Sequence, residues 1–325
     1  MRPRRTAAAV ILTLLAVTAG ACSTEPERRP VTPAPTTGAP PGGAPRSSGP
    51  PVGEAPDRPF AVGLRELRVS REGRPLPISI WYPAAGRAGG SPEQNLRPAA
   101  GRFPVVLFSH GLTARPGDYQ RLLAGWTAAG FVVAAPRYPY TSRDSAEINV
   151  LDVLNQPADA SYALTRVLDL DRRDGDPLRG RLATDRVAAA GHSAGGVTTV
   201  GLFTAGRDDR LDAGIVLAGS ALGVGTAFAG SAAPQLFVHG QRDDVVSYAA
   251  GRAAYEAVPW PKAMLSLPDG DHGGSLTRVG NRAFPVVATS TADFLRWTLY
   301  GDQAARERLP RDAVRGGLAT LDDRL

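Results

Sequence analysis

Gly191-His192-Ser193-Ala194-Gly195 follows directly on an apolar run, residues 186–190, and leads into a helical stretch ending near Phe203. No other short segment restricts the fold so strongly. A serine between two glycines at a strand-to-helix turn takes up a strained backbone, and a side chain at either glycine position would collide with neighbouring backbone. The turn presents the Ser193 hydroxyl at the carboxyl edge of a sheet. It also leaves the Ala194 amide at a helix N-terminus, where an N–H has no intrahelical partner. A phosphate-binding loop is excluded, because the chain contains no G-x-x-x-x-G-K-[ST].

Around this turn, short apolar runs bounded by turn residues alternate with helical periods, the pattern of βα units on a largely parallel sheet. Residues 64–70 and 76–81 read as an opening antiparallel pair, with the turn at 71–74. Residues 103–109 read as a buried strand ending in His110-Gly111. Leu122, Leu123 and Trp126 mark a helix over 118–129 that Gly130 ends, and 131–135 is the next strand. A helix over 157–170, strands at 214–217, 235–238 and 263–267, and a closing helix over 284–300 complete an α/β domain spanning 60–300. Residues 301–325 read as a polar tail, from 306 onward either a surface helix or a frayed end. The stretch 219–234 is too short for a bulky cap, so an open site is expected.

The N-terminal end reads as an export signal. Residues 1–5 are basic, an apolar stretch of about a dozen residues follows, and small residues close a signal peptide over 1–21. Ala19-Gly20-Ala21-Cys22 resembles a bacterial lipobox, with alanine where leucine is usual, so Cys22 is the expected acylation site and the membrane the expected partner. Simple secretion by the same cleavage is the alternative, and both place the protein outside the cytoplasm. Residues 22–59, rich in Pro, Gly and Thr, read as a disordered spacer. The lone cysteine excludes an internal disulfide. Of a formal charge of +6, three come from Arg2, Arg4 and Arg5, so the basic balance does not point to nucleic acid.

A serine hydroxyl needs a base, and the base needs a group that holds its tautomer. The chain has four histidines. His192 lies inside the elbow, while His110 and His239 end strands. In the order serine, acid, histidine, only His272 leaves room for an acid after Ser193. His272 lies in Pro268-Asp269-Gly270-Asp271-His272-Gly273-Gly274, just after a strand. The acid is expected at Asp243, following His239-Gly240, with Asp244 as the alternative or as a cap of the next helix. Asp269 and Asp271 are expected to shape the loop. The second oxyanion donor is expected at the Leu112 amide, with Thr113 as alternate and His110 as scaffold. Tyr138, Tyr140, Tyr248 and Trp260 are candidate pocket walls.

Residues 103–111, 130–134, 156–159, 191–196 and 238–240 resemble the α/β-hydrolase superfamily. More narrowly, they resemble the group of chlorophyllases, dienelactone-hydrolase-like proteins and platelet-activating-factor acetylhydrolases, with the cutinase-like polyester hydrolases nearby. The resemblance spans about residues 60–300. It implies an α/β-hydrolase fold with little or no cap, and hydrolysis of a small-molecule or lipid carboxylic ester through a serine acyl-enzyme. It also implies catalysis without metal or organic cofactor; a monomer is expected apart from the resemblance. Ser193 stands where true dienelactone hydrolases carry cysteine, and Leu112 where polyester hydrolases carry an aromatic residue. Amide or peptide hydrolysis by the same residues is the second reading. A catalytically silent binding lipoprotein is the third, and its expected mark is an incomplete set of catalytic residue types.

Overall fold

The computed structural model describes residues 54–278 and 280–325. The expected signal peptide, Cys22 and the spacer up to residue 53 lie outside these residues. The described chain opens with β1 (Ala61–Leu67), a two-rung hairpin of β2 (Ser70–Arg71) and β3 (Arg74–Pro75), and β4 (Ile78–Ala84). After β5 (Glu93–Gln94) come β6 (Phe103–Ser109), α1 (Gln120–Ala128), β7 (Val132–Pro136) and α2 (Gln156–Leu168). The elbow lies between β8 (Leu182–His192) and α3 (Ala194–Gly201). Then follow β9 (Ala213–Leu217), β10 (Gln235–Gly240), α4 (Tyr248–Ala257) and β11 (Lys262–Leu267). Helices α5 (Gly274–Thr277), α6 (Phe284–Leu295) and α7 (Gln303–Ala313) precede β12 (Thr320–Arg324).

One mixed sheet runs in the order β12-β11-β10-β9-β8-β6-β7-β4-β1-β5. From β11 to β7 every neighbouring pair is parallel, while β4, β1 and β12 each run antiparallel to the strand they join. All of β6 is buried, and alternate side chains of a strand point to opposite faces. Val106 and Phe108 pack with Leu122 and Trp126 of α1 and Phe294 of α6. Val105 and Leu107 pack with Ala163, Leu164 and Val167 of α2. Helices α3 and α4 cover the strands beyond through Val197, Val200 and Tyr255. A strand covered on both faces is apolar without alternation, which is why the central runs are readable in the sequence.

Two boundaries differ from expectation. Residues 301–325 are not a tail: α7 sends Leu309 and Ala313 into the core, and β12 adds an antiparallel edge to β11. That edge carries Asp322, Asp323 and Arg324, and edge strands tolerate charge because one side of their ladder meets water. Pro56, expected within the spacer, lies against the domain, where the Arg296 guanidinium donates to its carbonyl at 2.9 Å. Between β9 and β10, residues 219–234 contain no helix or strand, so this segment forms no cap domain.

Candidate active site

Ser193 occupies the turn between β8 and α3 with φ 57° and ψ −119°, a region that side-chain-bearing residues enter only at a cost in strain. A Cβ on Gly191 would run into the Gly195 carbonyl, and one on Gly195 into the carbonyls of Ser109 and His110. The first turn of α3 therefore presses on the ends of both β8 and β6, which fixes where the hydroxyl points. From the loop after β11, His272 places Nε2 2.8 Å from Ser193 Oγ. His272 Nδ1 lies 2.8 Å from Asp243 Oδ2.

Asp243 follows β10 and is buried. Its Oδ1 accepts the amide N–H groups of Val245 and Val246, each at 2.9 Å. Burial alone would raise this carboxyl, but hydrogen bonds from His239, His272 and the two amides outweigh it and hold the group well below the usual carboxylate range. An ionised Asp243 requires His272 to carry its proton on Nδ1, leaving the Nε2 lone pair facing the Ser193 hydroxyl. Asp244 is exposed, and its carboxylate has no partner among the described residues. Nor does it cap α4; that role falls to Ser247, which accepts the Ala250 N–H.

Tautomers of two other histidines follow from their partners, since a carbonyl only accepts. His110 donates Nδ1–H to the Gly111 carbonyl at 2.9 Å and accepts the Tyr138 N–H at 3.2 Å. His192 donates Nε2–H to the His272 carbonyl at 2.7 Å and accepts the Tyr119 hydroxyl at Nδ1, 2.8 Å away. Tyr119 in turn accepts the Gly111 N–H at 3.1 Å. Burial pushes both imidazoles down to about 4 and the Tyr119 phenol up to about 12, so these groups stay neutral across the middle of the pH range. His110 is thus a scaffold residue. Through Tyr119, His192 ties the loop after β6 to the loop that carries His272, a link with no local signal in the sequence.

In the loop after β6, the Thr113 N–H goes to the Thr141 carbonyl at 2.7 Å and the Ala114 N–H to Gly111 at 3.1 Å. Thr113 is thereby removed as an alternate oxyanion donor. The Leu112 N–H is left without a partner among the described residues, as is the Ala194 N–H at the start of α3. A cavity of about 400 Å³ opens onto this point, lined among others by Leu112, Tyr119, Asp118, Arg143 and Thr277. None of the four expected aromatic walls lines it. Tyr138 is buried against Ser109, Tyr248 bonds Ser266, Trp260 packs on Phe203 and Phe228, and Tyr140 lies under Arg74. Arg143 reaches the cavity because Ser142 bridges Ala114, and it pairs there with Asp118 at 2.9 Å. That wall is made by long-range pairing and has no motif.

Residues 95–228 match the chlorophyllase family, a family of the α/β-hydrolase type. The match agrees with the mostly parallel sheet and with the strand-to-helix elbow at its carboxyl edge, the marks of that fold type. The chain has an α/β-hydrolase-type fold. The matched region includes Leu112, Ser193 and Ala194 and ends before Asp243 and His272. The grouping of the last two with Ser193 therefore rests on the distances above.

Proposed function

We propose that this chain, with its α/β-hydrolase-type fold, is an exported serine esterase that cleaves carboxylic esters through an acyl-enzyme. The observation that carries the reading is the continuous line from Ser193 Oγ through His272 to Asp243, with 2.8 Å at each step. In the reaction, Oγ attacks the ester carbonyl while His272 Nε2 takes the hydroxyl proton, and Asp243 stabilises the imidazolium. The carbonyl oxygen becomes an oxyanion held by the Leu112 and Ala194 N–H groups. Collapse breaks the C–O bond, and His272 protonates the departing alcohol. Water then gives its proton to His272, attacks the acyl carbon and releases the acid with Ser193 restored.

The open cavity favours small or flexible esters over substrates that need a closing lid. Export, and a lipid on Cys22, are part of the same proposal and rest on the N-terminal sequence. The test uses the full chain with a fluorophosphonate probe and peptide mass spectrometry. The adduct is expected on Ser193 and lost in His272→Ala, while Ser193→Ala abolishes hydrolysis of 4-nitrophenyl acetate. Labelling elsewhere, or a Ser193→Ala protein with unchanged rate, overturns the assignment.

A further inference from the structure

His239 takes no part in the steps above, yet it is almost fully buried beside them. Its Nε2 lies 2.8 Å from the Val246 carbonyl and 3.2 Å from Asp243 Oδ2, the same oxygen that meets His272 Nδ1. A carbonyl cannot donate, so His239 carries a proton on Nε2 and shares it between the carbonyl and the carboxylate. The ring is held from behind. A Cβ on Gly251 of α4 would collide with His239 Nδ1, and the Tyr248 ring stands at 89° to it, 5.8 Å away.

The titratable groups facing this ring are few. Asp243 comes from the loop after β10 and Tyr248 from α4, with the Tyr248 hydroxyl on Ser266 of β11. His272 and His192, which pack on each other, lie beyond the carboxylate. Arg242 in the same loop turns outward to Asp269. Four N–H groups therefore fill the acceptor sites of Asp243, two amides on Oδ1 and two imidazoles on Oδ2.

We propose that His239 is a positioning residue for the reaction: by donating to Asp243 Oδ2 it holds the carboxylate towards His272 and draws off part of its charge, which sets the pH at which His272 becomes free to act as a base. The inference rests on the esterase reading above. Without this donor, more negative charge remains for the His272 imidazolium to pair with, so the imidazolium persists to higher pH.

The experiment is the pH profile of kcat/KM for 4-nitrophenyl acetate on the full chain, with folding checked by thermal melting. In His239→Leu the acid limb is expected to move up by about one pH unit, a roughly tenfold loss on the acid side. His239→Gln, whose side-chain amide can donate from a similar place, is expected to keep the limb close to its original position. Gly251→Ala pushes the ring aside with His239 still present and is expected to move the limb upward, and it decides the matter if His239→Leu does not fold. A limb that stays in place or moves down in the folded variants overturns the proposal, as does His239→Gln behaving like His239→Leu. If Ser193 is not labelled in the unmodified protein, the esterase reading fails. A still limb with Ser193 labelled removes only the role of His239.

Discussion

At Asp243 four N–H groups meet one carboxylate, while the adjacent Asp244 has none among the described residues. Replacing each by asparagine keeps the shape and removes the charge. Asp243→Asn is expected to lower kcat on the order of 10³ to 10⁴-fold, because the amide favours the wrong imidazole tautomer. Asp244→Asn is expected to stay within about twofold, in keeping with an exposed surface substitution. Equal losses measured on one short ester would move the assignment. Ser193, Asp243 and His272, which meet in the structure, could be singled out from the sequence because nucleophile chemistry restricts residue type, chain order and strand-end setting. The choice between Asp243 and Asp244 was not settled there, since only the turn decides which carboxylate faces inward. The same holds for Leu112 and Thr113, whose amides are separated by where one of them finds a carbonyl; the Tyr119 hydroxyl meets His192 only because β6 and β8 lie side by side.

Among the elements, the small β2–β3 hairpin does more than connect. Arg74 reaches Asp152 at 2.8 Å and Asp159 at 2.7 Å, and Arg71 adds a contact to Asp159 at 3.0 Å. Asp159, on α2, is fully buried, so its charge is tolerable only while these guanidinium groups face it. Arg74→Met leaves buried carboxylate charge short of a partner, and a loss of about 3–5 kcal/mol in unfolding free energy is expected from urea titration. A loss below about 1 kcal/mol would show that water or Arg71 already compensates. Helix α2 was legible in its apolar residues Ala163, Leu164 and Val167. The hairpin's reach to it was not, because an ion pair across some 80 residues leaves no periodic trace. Edge strand β12 escaped for a related reason: its charges suit a strand with one open side, and alone they read as tail.

Over the molecule as a whole, the sequence exposes the central parallel block, whose strands carry buried apolar runs such as Val105 to Phe108 and Val187 to Ala190. It hides the edges and the loops. The fold class is thus visible from local patterns, while the cavity wall depends on which distant loops meet. The link from Gly111 through Tyr119 and His192 to the His272 carbonyl joins the loop after β6 to the loop after β11, segments some 160 residues apart in the chain. Such a link closes only after the intervening strands have found their places, and non-local pairing is slow to form. During renaturation from urea, ester hydrolysis is therefore expected to return after the far-ultraviolet dichroism. Simultaneous return of both signals would mean that the sheet forms in one step. In the expected order, catalytic activity reports the closing of the link between these two loops, and a partly assembled chain is silent towards substrate even when most of its secondary structure is in place.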